Sequence, residues 1–174
     1  MATASKVAAA EAEALKRERL ENYNKVVAAA ELGAIQLVKL DFDVSPEYFG
    51  ENDETQLGYV ITPESSEYDA DAGIAVCVIE FQVNAMRDDI PVLQCNATYT
   101  IMYGISETCD TDAVKAFIER VGVFSCYPYF RGVFASLDWA ANTRLPPLPI
   151  HKEEVKRKAK PRKKSAKVLK AQEE

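Results

Sequence analysis

Residues 73–105 read GIAVCVIEFQVNAMRDDIPVLQCNATYTIMYGI, and the spacing of their apolar side chains decides the fold class. Between residues 73 and 84 the odd positions Ala75, Cys77, Ile79, Phe81 and Val83 are all apolar, while the even ones turn polar at Glu80, Gln82 and Asn84. A period of two marks a strand with one buried face, because successive side chains leave a pleated backbone on opposite sides. Residues 92–105 repeat the pattern, with Tyr99, Ile101, Tyr103 and Ile105 on one face. Arg87-Asp88-Asp89 between them reads as a turn. Two long strands joined by so short a polar connection pair as an antiparallel hairpin.

Upstream, residues 35–43 alternate again: Val38, Leu40 and Phe42 oppose Lys39, Asp41 and Asp43. Residues 45–72 are rich in Gly, Pro, Ser, Asp and Glu and promise only a weak strand at 58–62. Residues 3–31 are dominated by alanine and long-chain residues and carry Glu13/Arg17 and Glu21/Lys25 four apart, which predicts a helix with Leu20, Tyr23, Val27 and Ala30 as its apolar stripe. Downstream, Thr111 or Asp112 can cap a helix through Ala113, Phe117 and Val121, weakened at Gly122. Pro128 suits the first turn of a second helical segment, in which Phe130, Val133, Phe134, Leu137 and Ala141 recur at helical spacing before a stop at Asn142. Residues 145–150, LPPLPI, exclude helix and form an extended strap.

The chain has 174 residues, enough for one domain with extensions. Its longest apolar run, residues 73–79, falls far short of the roughly 20 residues of a membrane helix. The alanine-rich N-terminus is broken by Glu11, Glu13, Lys16 and Arg17, so no signal peptide is expected and the protein reads as cytoplasmic, with no membrane insertion. Four cysteines, none spaced as CxxC, and a single histidine, His151, argue against a zinc site, and no cofactor is expected. Cys77 and Cys95 fall in strands, where a buried thiol acts as a small hydrophobe. Asp88/Asp89 and Asp110/Asp112 lie in turns with no apolar surround to perturb them, and no nucleophile or phosphate-binding motif occurs, so the chain does not read as an enzyme.

Charge is unevenly spread. Residues 151–174 hold ten Lys/Arg against four Glu, a net +6, and residues 1–150 hold eleven against twenty-three acids, a net −12. The basic tail has little to bury and reads as disordered. It could bind nucleic acid weakly, contact the acidic body of its own oligomer, or serve as a solubilising tail.

The order of strands, helical segments and proline strap resembles the SecB chaperone family. The segment 127–131, Tyr-Pro-Tyr-Phe-Arg, through the strap at 145–150 is similar to that family's aromatic-proline-aromatic helix start, helix and proline-rich loop. Residues 93–105 resemble its last strand, and residues 23–42 its first helix and first strand. The resemblance covers about residues 20–150 and implies an α+β fold: a four-stranded antiparallel sheet packed on a kinked helix pair. The organisation expected is an N-terminal helix at 1–31, a SecB-like domain at 32–150 and a basic tail at 151–174. It also implies a homotetramer, a dimer of dimers, that holds unfolded polypeptide clients in apolar grooves without ATP, for export or for a dedicated client.

On this reading Tyr99, Tyr103, Phe124, Tyr127, Tyr129, Leu148 and Ile150 are the client-binding residues. Tyr127 and Tyr129 flank Pro128 and so should lie near an edge. Phe130, Phe134 and Leu137 are assigned to the core, and Trp139 to packing. Family members that deliver cargo to the SecA motor use exposed carboxylates on the first and last strands. The matching positions here are Lys39, Asp43 and Asn96, so only Asp43 keeps the acid as a partner-binding residue, and SecA docking is left open.

Overall fold

The computed structural model describes residues 2–50 and 55–152, with backbone alone for 2–9. The tail from residue 153 lies outside the described residues. In chain order the elements are α1 (Ala2–Ala29), β1 (Ala30–Val44), a 3-10 turn (Pro46–Phe49), β2 (Gln56–Asp69), β3 (Ile74–Arg87), β4 (Ile90–Ile105) and α2 (Thr111–Ala141). The four strands form one antiparallel sheet in the order β1-β4-β3-β2, as the α+β reading expects.

The β3–β4 hairpin turns at Asp88 and Asp89, both at positive φ (50° and 62°), as a two-residue turn matched to the strand twist requires. At the other end Gly73 (φ 64°) links β2 to β3. A Cβ there would stand 2.8 Å from the Ile105 carbonyl oxygen, so only glycine fits. Asp69 Oδ1 accepts the Asp71 and Ala72 amides and closes the same turn.

β2 is far longer than its sequence suggests. It pairs with β3 from Gln56↔Met86 to Asp69↔Ile74 and absorbs Pro63 at a register shift between Pro63 and Ser65. Proline is tolerated there because β2 is an edge strand and the bulge frees its backbone from the ladder.

The odd residues 75–85 of β3 and 93–105 of β4 are buried on one side of the sheet, under α2. The two helical segments expected around Pro128 run on as one 31-residue helix with Pro128 inside it. The proline sits on the exposed side, where the Phe124 carbonyl it leaves without an amide partner can face water. Asp110, one residue ahead of the expected caps, is the N-cap: its Oδ1 accepts the Ala113 amide at 2.9 Å. Asn142, at φ 56°, ends the helix as read. Gly122 is where helix and sheet meet most closely, since a Cβ would stand 3.1 Å from Ile79 Cδ1 and 3.2 Å from Ile101 Cγ2. Below it, Phe81 stacks on Phe130 at 4.8 Å and meets Tyr99 edge-on at 5.6 Å.

The last turns of α1 dock on α2. Tyr23 lies 6.1 Å from Phe117 and under the Arg120 guanidinium, Lys25 Nζ donates to the Thr108 carbonyl, and Val26 is fully buried. The buried stripe is therefore Tyr23, Val26 and Ala29, and the expected stripe residues Leu20 and Val27 face outward.

Candidate polypeptide-binding surface

On α2, Phe124, Tyr127, Arg131, Ala135 and Asp138 recur three or four residues apart and so form one stripe. The strap runs back along it, antiparallel to the helix. Asp138 starts the return: its Oδ1 accepts the Thr143 hydroxyl at 2.6 Å and the Leu145 amide at 2.9 Å. The Tyr127 hydroxyl donates to the Pro149 carbonyl at 2.5 Å, and the His151 ring rests 4.8 Å from Phe124 and 5.5 Å from Tyr127. The Tyr48 hydroxyl pins the first bend by donating to the Thr143 carbonyl. Helix and strap leave between them an open groove of about 440 Å³, lined by Pro128, Arg131, Phe134, Leu145 and Pro147 among others.

Two further apolar surfaces lie outside this groove. α2 packs chiefly over β2 and β3 and leaves part of the helix side of β1 uncovered, although Ile35, Phe42 and Val44 still pack against the core. Leu32, Leu37 and Leu40 pair with Tyr103, Tyr99 and Ala97 on β4, yet stay 47%, 40% and 36% exposed. The outer face of α2 from residue 121 onward is also poor in charge. Between residues 121 and 141 the only charges are Arg131 and Asp138, and Phe124, Tyr129 and Trp139 stand exposed among Gly132, Ala135, Ser136 and Ala140. A helix apolar all round is one that is covered by something.

The residues singled out from the sequence divide. Tyr99, Tyr103, Tyr127 and Leu148 are buried at 4% exposure or less, whereas Phe124, Tyr129 and Ile150 are open. The Tyr103 hydroxyl is paired with Ser125 at 2.9 Å. Pro128 lies mid-helix rather than at a helix start, so Tyr127 and Tyr129 project to opposite sides, one inward and one outward. Phe130 and Phe134 are core, Leu137 is half-buried against it, and Trp139, read as packing, is exposed at 86%.

Asp43 is exposed on the face of β1 away from α2. Lys39 and Asp41 share that face, with Asp41 opposite Asn96 on β4. Lys39 Nζ bridges Asp41 at 2.8 Å, and that hydrogen bond and charge raise the Lys39 pKa. The open leucines on β1 were not legible in the sequence, because alternation marks one face as apolar without saying how far a helix covers it. Asp138 was equally silent: its role depends on the αL turn at Asn142 and Arg144 bringing the strap back within reach.

All four cysteines are buried in the same core, and for three of them burial raises the thiol pKa, Cys77 and Cys95 up to about 11 and Cys126 up to about 12. Those three are protonated at neutral pH and pack as small hydrophobes, as Cys77 and Cys95 were read. No helix among the described residues is long and apolar enough to cross a membrane.

No protein-family model and no curated protein matches the chain. Among solved structures it is similar to the Mycobacterium tuberculosis SecB-like chaperone in complex with a ChAD peptide from the HigA1 antitoxin. That match has a TM-score of 0.61 at 17% identity and covers 78% of this chain and 99% of that one. A protein of unknown function from Streptococcus agalactiae matches at a TM-score of 0.40 and 10% identity, over 71% of this chain and 97% of that one. The sheet order, the long helix laid across it and the likeness to the mycobacterial protein agree: this chain is built on the SecB-like fold.

Proposed function

We propose that the protein is an ATP-independent holding chaperone that binds unfolded polypeptide on apolar surface in the cytoplasm and catalyses no reaction. The observation that carries this reading is the apolar area left open after the core is complete: the β1 leucines, the strap groove and the outer face of α2. The mycobacterial structure of the same fold contains a peptide from an antitoxin, which supports an extended polypeptide as ligand and a dedicated client over a general one. The outer face of α2 is assigned to self-association, as in a dimer of dimers, and the β1 leucines and strap groove to the client. No SecA contact is assigned, because Lys39 neutralises Asp41 on the face where Asp43 alone keeps the matching acid.

Binding of a fluorescently labelled, reduced and unfolded polypeptide, followed by anisotropy without nucleotide, tests the assignment. Leu37→Asp with Leu40→Asp should weaken binding at least tenfold while leaving the far-UV spectrum unchanged. Equal affinity in the variant would remove β1 from the site.

A further inference from the structure

The groove between α2 and the strap is walled by apolar side chains and carries two charges, Arg131 and Asp138. They are in different states. Asp138 is engaged: its Oδ1 accepts the Thr143 hydroxyl at 2.6 Å and the Leu145 amide at 2.9 Å. Arg131 is half-buried, and no described residue pairs with its guanidinium. Its neighbours in the wall are Pro128, Phe134, Leu145 and Pro147. A cation held against such a surface loses part of its hydration and gets nothing back until an anion meets it. The guanidinium is a planar fork that matches a carboxylate with two parallel hydrogen bonds.

The surroundings narrow the match. Residues 1–150 carry a net −12, so a segment rich in acids is repelled by the body as a whole. Asp138 lies seven residues beyond Arg131, about 10 Å along the helix. That is about three residues of extended chain. An acid placed there would face a carboxylate. The groove therefore accepts negative charge at one level and refuses it at the next. Taking the strap groove as a client site, as above, we propose that Arg131 is its specificity-determining residue. The segment it selects is extended and apolar and carries a single Asp or Glu, whose carboxylate pairs with the guanidinium.

Anisotropy of three fluorescein-labelled peptides, titrated with the full chain, tests this. Each peptide alternates Val or Leu with Ser, and the central residue is Glu, Gln or Lys. The expected order of affinity is Glu over Gln over Lys, with at least fivefold between the first two and a smaller gap in high salt. Arg131→Gln should bring the three affinities within twofold of one another. Arg131→Lys, which keeps the charge without the fork, should keep the order with a narrower gap. A purely structural role for Arg131 would change neither order. Three equal affinities on the unmodified protein would overturn the inference and leave the holding function standing. A preference for the Glu peptide that survives Arg131→Gln would also overturn it, since the Lys/Arg-rich sequence after residue 152 would then supply the charge. Failure of all three peptides to bind would end the client reading of the groove and the role of Arg131 with it.

Discussion

Gly122 weakens a helix and is nevertheless placed at the centre of α2, because it lets the backbone come down onto Ile79 and Ile101. A larger side chain there must lift the helix off the sheet. Gly122→Leu should cost about 2–3 kcal/mol in urea unfolding, the range of an overpacked core. Two core tyrosines make a contrasting pair. Tyr99 buries its hydroxyl without a hydrogen-bond partner among the described residues, whereas Tyr127 spends its own on Pro149. Tyr99→Phe should therefore raise stability by about 1 kcal/mol and Tyr127→Phe lower it by about as much. Equal effects of one sign would contradict this. The thiols predict a pH dependence. An ordinary cysteine ionises near 9.0, as in the unfolded chain, while Cys77, Cys95 and Cys126 hold their protons to about 11 or 12. Unfolding thus releases protons above pH 9, so this contribution to stability is complete below 9 and lost as pH rises towards 11. Urea midpoints that stay level from pH 7 to 11 would contradict it.

At the scale of elements, legibility followed burial on one face. β3 and β4 are central, so only their apolar halves could face α2, and alternation declared them. β2 was nearly invisible because an edge strand beside water tolerates Glu64, Ser65, Ser66 and even Pro63, which carry no strand signal. α2 appeared broken because Gly122 and Pro128 are poor helix residues in isolation. Packing on the sheet overrides the first, and solvent access to the Phe124 carbonyl tolerates the second. The strap was legible from its prolines, but its docking was not, since that rests on single contacts far apart in sequence. Asp138 is the strongest of these. Asp138→Ala should free the Leu145 amide and raise its hydrogen-exchange rate at least tenfold, and destabilise the fold by about 1–2 kcal/mol. Unchanged exchange at Leu145 would show that the strap is held elsewhere.

For the whole molecule, the sheet and one long helix complete a core and leave apolar area on two sides of it. Trp139, the most exposed large apolar side chain among the described residues, belongs to the side given to self-association. Trp139→Glu should shift the mass measured by light scattering towards smaller species at micromolar concentration. The same mass for both proteins would take α2 out of the interface. The β1 leucines, on the sheet edge opposite β2, and the strap groove are the two surfaces given to the client, and their use is the central claim. Its most direct measurement is the turbidity of an aggregating, chemically unfolded client in the presence of the purified protein without ATP. The account predicts suppression that saturates near stoichiometric protein and is weakened by Leu37→Asp with Leu40→Asp. Undiminished aggregation at a several-fold molar excess of the assembled protein, across clients including a cognate antitoxin-like chain, would contradict it.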